Sequence, residues 1–479
     1  MPTHTSPLRP AALLLPLLVL PLVGCLGSAY RRPELAMPKQ YRDGEAGAHP
    51  DGPMAPGARS LGELKWSELI HDDELAKLIQ EAQANNYDVR IAAARVLQAR
   101  AQWVGTRAGQ FPAVNGTASL TNMNMAQNGS GPVPEGVSTE SHWTDLTFSL
   151  GWEIDLWGRL RNASAAARAE LFASEEARRT VMATLVSDVA DAYFLLRDLD
   201  QELVITRRDM ALREASLELV QLRVENGYSS EIDRLEAEVL VKSAQTELTN
   251  LELQVDQTEN QISELVGRNP GTITRGRSIL EQELPARLPA GLPSSLLEQR
   301  PDVREAEDQL AASHALVAVA RAAYFPTLAL TSTTGFESGA LRHLFEIPNG
   351  TWLFAPAASL PIFSAGRVRA GVRSAQASRE QALLSYQQTV QRAFREVADG
   401  LVGARKLSEL RTQQESLVDS LQQSVEIADQ RYRGGVASYL EFIESERQLL
   451  DAELQLVQVR RQEITNVVTI YRALGGGWQ

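Results

Sequence analysis

Leu146-Thr147-Phe148-Ser149-Leu150-Gly151-Trp152-Glu153-Ile154-Asp155-Leu156-Trp157-Gly158-Arg159-Leu160-Arg161 is the stretch that decides the fold. From Leu146 to Leu156, apolar residues alternate strictly with polar or small ones, which is the period of a half-buried strand. Past Gly158 the pattern changes. From Arg159 to Leu222 there is neither proline nor glycine, and an unbroken helix over that stretch would reach roughly 95 Å at about 1.5 Å per residue. A compact globular core has no use for such a helix.

The same switch occurs again downstream. Gly158-Arg159-Leu160-Arg161 answers to Gly366-Arg367-Val368-Arg369 at an offset of 366 − 158 = 208. That step also carries Arg223, Gly227, Ser230, Glu236 and Glu238 onto Arg431, Gly435, Ser438, Glu444 and Glu446. Upstream of the strands the offset is larger. Asn86-Tyr87-Asp88-Val89-Arg90 answers to Arg300-Pro301-Asp302-Val303-Arg304, and Arg107-Ala108 with Phe111-Pro112 answers to Arg321-Ala322 with Phe325-Pro326; 302 − 88 and 325 − 111 both equal 214. The difference falls in one strand hairpin. Two copies are too few for a solenoid, so the chain reads as a pseudo-twofold unit whose halves each run helix, strand hairpin, very long helix, turn, helix. The first repeat is set at 76–267, with its hairpin at 113–157 and its tip at 225–230. A linker at 268–298 leads to the second repeat at 299–474, with hairpin 327–364 and tip 433–438, and 475–479 is a tail.

The second long helix, Arg367 to Gln430, has no proline and glycine only at Gly371, Gly400 and Gly403. Apolar residues recur at Leu185, Val189, Ala192, Leu196, Leu199, Leu203, Met210 and Leu217, then at Ile443, Leu450, Val457, Ile464 and Tyr471. Steps of seven, split four and three, predict coiled-coil seams. The turns repeat as well. Glu225-Asn226-Gly227-Tyr228-Ser229-Ser230 and Arg433-Gly434-Gly435-Val436-Ala437-Ser438 each offer glycine for a helix C-cap and serine for the next N-cap.

Compartment is read from the N-terminus. Arg9 precedes an apolar run from Ala11 to Val23 that is too short to span a bilayer and suits a signal peptide over 1–24. The run ends in Leu22-Val23-Gly24-Cys25, similar to a bacterial lipobox, and Cys25 is the chain's one cysteine. Cys25 is therefore the expected lipid attachment site, carrying a covalent diacylglycerol and an N-acyl chain, with no other cofactor expected. Leu26 in place of Asp fits sorting to the outer membrane, and several acyl chains hold firmly where one holds weakly. A formal charge of −13 argues against nucleic acid as a partner.

Val114 to Leu120, Leu328 to Phe336 and Trp352 to Ile362 give three weaker strands beside the first, with Trp143, Trp152, Trp157, Trp352 and Phe354 placed where aromatic girdles sit. Four strands cannot close a barrel, and open edges are not tolerated in lipid. Several copies must build one barrel.

Taken together, the lipobox, Tyr30-Arg31-Arg32-Pro33, the duplicated Phe-Pro, Asp155-Leu156-Trp157-Gly158-Arg159, Pro361-Ile362-Phe363 before Gly366-Arg367, and Arg431-Tyr432-Arg433-Gly434-Gly435 resemble the outer-membrane factors of tripartite efflux systems. Within them the chain is most similar to the NodT-type lipoproteins that serve resistance-nodulation-division pumps. The resemblance implies a mainly α homotrimer, its 12-stranded transmembrane β-barrel continuous with a 12-helix periplasmic α-barrel. It also implies a mixed equatorial belt, for which 25–75 and 268–298 are the remaining segments. The implied partners are a periplasmic adaptor, an inner-membrane pump and outer-membrane lipid. The implied function is a passive exit duct for small molecules such as drugs, gated at its periplasmic end.

The family's gate positions fall on Leu440, Glu444 and Arg447, and the 208 offset places Ile232, Glu236 and Val239 opposite them. Val239 leaves Arg447 without a basic counterpart at the equivalent place. Glu236 and Glu444 would ring a trimeric mouth with carboxylates and favour cations; the alternative is that both are solvated helix-surface glutamates. The tips, at Gly227, Ser230, Gly435 and Ser438, are the expected adaptor contacts.

Enzymatic readings find little support. The six histidines are scattered without a HExxH pair, and no glycine-rich phosphate loop follows a strand. Asp72-Asp73-Glu74 reads as a charge cluster at a helix N-terminus rather than a metal site. Met123 and Met125 with His142 would suit a soft metal, but they fall in an outer hairpin. Two rivals stay open: a coiled-coil lipoprotein that merely spans the periplasm, and a duct for protein secretion by an ABC transporter.

Overall fold

The computed structural model describes residues 30–35, 41, 61–63, 66–127, 133, 134, 136–285 and 293–478. Cys25 and the signal segment lie outside the described residues. In chain order the main elements are α1 (Asp73–Asn85), α2 (Tyr87–Ala108), β1 (Ala113–Asn124), β2 (Glu140–Ile154), α3 (Arg159–Glu225), α4 (Glu231–Leu265), α5 (Pro301–Ala322), β3 (Thr327–Ser338), β4 (Gly350–Ser359), α6 (Arg367–Arg433) and α7 (Tyr439–Ala473). Short helical turns lie at Trp66–Leu69 and Leu296–Gln299. The two long helices start where the sequence places them and run three residues further, to Glu225 and Arg433. The chain divides into two units, one built around 100–170 and 310–381, the other around 33–99, 171–309 and 382–479.

The first unit holds a four-stranded antiparallel sheet in the order β1-β2-β3-β4. Its register runs without a bulge: Val114 pairs Leu150, Leu150 pairs Ser332, and Ser332 pairs Phe354. Because side chains alternate sides at period two, this register gathers Val114, Leu120, Leu146, Phe148, Leu150, Leu330, Phe336, Trp352 and Phe354 on one face. The opposite face carries Asn115, Thr117, Ser119, Asp145, Thr147, Ser149, Thr331, Thr333 and Glu337. Ser119 and Asp145 are hydrogen-bonded there across the β1–β2 pair. Within the chain β1 and β4 each present an unpaired edge.

Two strands stop short of the sequence reading. β2 stops at Ile154, because the Asp155 carboxylate accepts from the Leu160 and Arg161 amides (3.1 and 2.8 Å) and so caps α3. β4 stops at Ser359, ahead of Pro361, which has no N–H for a ladder. The aromatics also divide. Trp143 pairs Thr121 on the polar face, away from Trp352 and Phe354. Trp152 donates to the Gln110 carbonyl (3.1 Å), and Trp157 donates to that of Pro326 (2.7 Å) while stacking on Phe325 at 4.8 Å. The duplicated Phe-Pro junctions are thus held by indoles from the same stretch that opens the reading.

The second unit is helical. The heptad residues Leu185, Val189, Ala192, Leu196, Leu199 and Leu203 are buried, as are Val457, Ile464 and Tyr471. Met210, Leu217, Ile443 and Leu450, nearer the tips, are only half-buried. At the base of this unit the duplication is repeated in position, with different donor groups. The Asn86 amide donates to the Leu265 carbonyl (2.9 Å) and the Arg300 guanidinium to that of Ala473 (3.1 Å), partners related by the offsets 214 and 208. After α4 and α7 the chain turns through Gly267 (φ 77°) and Gly475 (φ 88°). A Cβ at either would lie 2.7 Å from a backbone oxygen, that of Asn85 or of Gln299. Only glycine fits both the left-handed turn and the close approach.

Asp72 is a second anchor at this end. Its buried carboxylate caps α1 through the Glu74 and Leu75 amides (both 3.1 Å). It also accepts from the Tyr193 hydroxyl (3.0 Å), the Gln282 amide (2.9 Å) and the Arg277 N–H (3.2 Å). One carboxylate therefore joins α1, α3 and the linker after α4.

Candidate functional site

Both helical tips close in the same way. The amides of Gly227 and Tyr228 donate to the carbonyls of Val224 (3.0 Å) and Arg223 (2.8 Å), while those of Gly435 and Val436 donate to Tyr432 and Arg431 (both 3.0 Å). These are Schellman turns, with Gly227 at φ 76° and Gly435 at φ 74°. The returning helices start on serine: the Ser230 hydroxyl accepts from the Asp233 amide (3.2 Å) in a capping box, and that of Ser438 accepts from the Glu441 amide (3.3 Å). Apolar side chains stand out at each tip, Tyr228 being 83% and Val436 75% exposed. A Cβ added at Gly227 or Gly435 would meet nothing within 4 Å. The turns at both tips are closed by backbone hydrogen bonds and open in surface.

Leu440, Glu444 and Arg447 lie together on the exposed face of α7. Arg447 grips Glu444 with two nitrogens (2.7 and 3.1 Å) and reaches Asp451 at 2.9 Å. With Gln448 donating a further hydrogen bond, these contacts pull the Glu444 carboxyl down to about 2. Ile232, Glu236 and Val239 are exposed on α4. Val239 offers no charge, yet α4 has its own arginine five residues nearer the tip. Arg234 holds Glu231 (2.6 Å) and Glu238 (3.0 Å) with the same i−3 and i+4 spacing that Arg447 uses. Glu236 has no ion-pair partner among the described residues, so the two glutamates are not equivalent.

Sequence reasoning passed over the contacts that fasten the second hairpin to the first long helix. Ser216 and the Tyr439 hydroxyl are 2.9 Å apart, the Arg223 guanidinium lies 4.4 Å over the Tyr432 ring, and that ring stacks on Phe442 at 5.9 Å. Farther from the tip, Arg461 bonds the buried Asp198 at 2.7 Å. Arg223 and Tyr432 both stood in quoted positions, but nothing in the sequence marked them as partners.

The soft-metal suggestion fails on strand parity. His142 pairs Asn122 on the apolar-side row, bonding its side chain at 2.8 Å, whereas Met123 points to the other face. Among the described residues no group of three or more His, Cys, Asp or Glu could hold a metal ion.

Comparison with known proteins bears on the family and the fold. The family described as "Outer membrane efflux protein" matches residues 78–268 and 292–476. The chain is 35% identical over 460 residues to a probable efflux pump outer membrane protein, TtgC, of Pseudomonas putida, covering 95% of this chain and 93% of that one. It is 34% identical to the cation efflux system protein CusC of Escherichia coli, covering 97% of this chain and 99% of that one. Among solved structures, the outer-membrane channel OprN superposes with a TM-score of 0.84 at 29% identity, over 94% of this chain and 99% of that one.

Proposed function

The chain belongs to the outer membrane efflux protein family, and on that premise we propose that three copies assemble so that their sheets close one twelve-stranded barrel and their helices one periplasmic tunnel. It is an outer-membrane channel of an efflux pump, a conduit and not an enzyme. The observation that carries the assembly is the sheet. Its register sorts four strands into one apolar and one polar face, and it leaves β1 and β4 with unpaired edges. Lipid offers no partner for such edges, and closure with neighbouring copies satisfies them. The apolar face then meets lipid and the Asn/Thr/Ser face meets water.

Cys25 carries the lipid anchor in this reading. The tips around Gly227–Ser230 and Gly435–Ser438 receive a periplasmic adaptor bound to a proton-driven inner-membrane pump, and the exposed face with Leu440, Glu444 and Arg447 forms the gate with Ile232 and Glu236. TtgC is named for an efflux pump and CusC for cation efflux. For this chain the cargo in this reading is small molecules such as drugs.

Photo-crosslinking from Ser438 in intact envelopes tests the reading. Capture of an adaptor with a proton-driven pump supports it. Capture of an ABC exporter moves the function to protein secretion, and capture of neither leaves the tips without the docking role.

A further inference from the structure

Between α3, α6 and α7 lies a cavity of ≈ 470 Å³ whose lining includes Leu212, Phe442 and Leu450 together with charged side chains. Charged groups reach it from all three helices. α3 contributes Arg208 and Asp209, with Arg213 beside them; α6 contributes Glu426, Asp429 and Arg433; α7 contributes Glu446 and Glu453, with the Tyr439 phenol nearby. Every arginine is already engaged. Arg208 is paired with Glu453, Arg213 with Asp209 (2.8 Å) and the Leu240 carbonyl (3.0 Å), and Arg433 with Asp429 (2.9 Å). Glu446 is in no hydrogen bond or ion pair among the described residues. With Glu426 it makes two surplus carboxylates in the cavity, and Glu446 is the one whose carboxyl burial raises.

We propose that Glu446 is a proton-operated wedge: neutral, it lets α7 pack on α3; ionised, it drives the α6–α7 hairpin away from α3. The packed cavity supports this electrostatically. Burial, and after it the Asp209 charge, raise the Glu446 carboxyl to about 7 against the pull of Arg213. An acid raised in the packed state favours packing in full below its ordinary value of 4.5, loses that advantage as pH climbs, and has lost all of it above about 7. Glu446 keeps some solvent contact, so the packed-to-separated ratio changes by at most on the order of 100-fold across that window. The fastenings that must yield are Ser216–Tyr439, Arg223 over Tyr432 and the Arg208–Glu453 ion pair, and the seam residues beside them, Ile443 and Leu450, are half-buried.

The inference rests on the gating role proposed for this hairpin, so packing and conduction are measured separately. Nitroxides placed at Glu214→Cys and Gln455→Cys in the detergent-purified full-length assembly report the α3–α7 distance from pH 5.5 to 8.5. The distance is expected to lengthen as pH climbs, with its midpoint below about 7 and no further change above. Glu446→Gln should hold the short distance throughout, and Asp209→Asn, which removes the neighbouring charge and releases Arg213, should move the midpoint to lower pH. An invariant distance in the unaltered protein, or a Glu446→Gln variant that titrates like it, overturns the wedge. Planar-bilayer conductance of the same samples then tests the other reading: a distance that responds to pH with unchanged conductance upholds the wedge and removes the gate.

Discussion

Arg300→Ala, set against Asn86→Ala, tests whether the two halves are closed at their base by the same device at different strengths. Arg300 holds Asp302 with two bonds (2.6 and 2.9 Å), Glu396 at 2.8 Å and the Ala473 carbonyl at 3.1 Å. Its side chain is 8% exposed, whereas those of Asp302 and Glu396 are 29% and 27% exposed. Truncation strands two carboxylates and a carbonyl, and breaking a buried pair costs about 3–5 kcal/mol; the partial exposure of the acids places this one at about 3. Asn86 makes only neutral bonds, to the Leu265 carbonyl and from the Asp88 and Val89 amides that it caps. Its loss should cost about 2 kcal/mol, roughly 1 for the cap and 1 for the carbonyl. Native-state hydrogen exchange reads each closure at its own amides, Leu474–Gly476 and Val266–Arg268, which are bonded back into α7 and α4. At about 1.4 kcal/mol per factor of ten, Arg300→Ala should speed exchange at 474–476 by roughly 100-fold and Asn86→Ala at 266–268 by roughly 30-fold. Less than about a 5-fold effect of Arg300→Ala at 474–476, or equal acceleration at both closures, would refute the reasoning.

At the tips, Gly435→Ala should cost only about 0.5–1 kcal/mol in local exchange stability, because the left-handed strain is partly offset by a stiffer unfolded chain. Gly475→Ala should cost at least about 2, since its Cβ also meets the Gln299 backbone. Asp72→Ala removes a cap and three further donors' acceptor at once, and urea unfolding followed by circular dichroism should register a loss of about 3 kcal/mol. Asp308, raised to about 6 by burial and then by Glu176 and Glu307, disfavours the fold once ionised. Its penalty grows from pH 3.8 to about 6 and is complete above. Because the group is about half exposed, Asp308→Asn should stabilise by only about 1 kcal/mol at pH 7.5 and by nothing near pH 4, as measured by thermal melts at the two pH values.

Local periodicity made much of this architecture legible. The switch at Gly158 and its copy at Gly366 marked where strand becomes helix, and Gly-x-x-Ser spacing marked both tips. Contacts between distant positions were harder. Asn86 and Arg300 stood in the very segments that revealed the duplication, but their partners, Leu265 and Ala473, are bonded through backbone carbonyls that carry no sequence signal. Asp72 read correctly as an N-terminal charge, while its bonds to Tyr193 and Gln282 depend on how the linker after α4 folds back. His142 and Met123 looked like neighbours because proximity is visible in a sequence and strand parity across a hairpin is not. Glu446 was aligned with Glu238 and then passed over, since burial by a second helix, and not its own surroundings in sequence, sets its character.

The glycine-pinned base has a mechanical consequence. α7 runs 35 residues from Tyr439 to Ala473, a lever of roughly 50 Å whose fulcrum is the close approach of Gly475 to Gln299. A rotation of about 5° at that fulcrum sweeps the far end through roughly 4 Å, about the width of a side chain. Ångström-scale travel at the tip therefore asks for almost no rearrangement at the base, and the tight packing there acts as the bearing that keeps the motion angular.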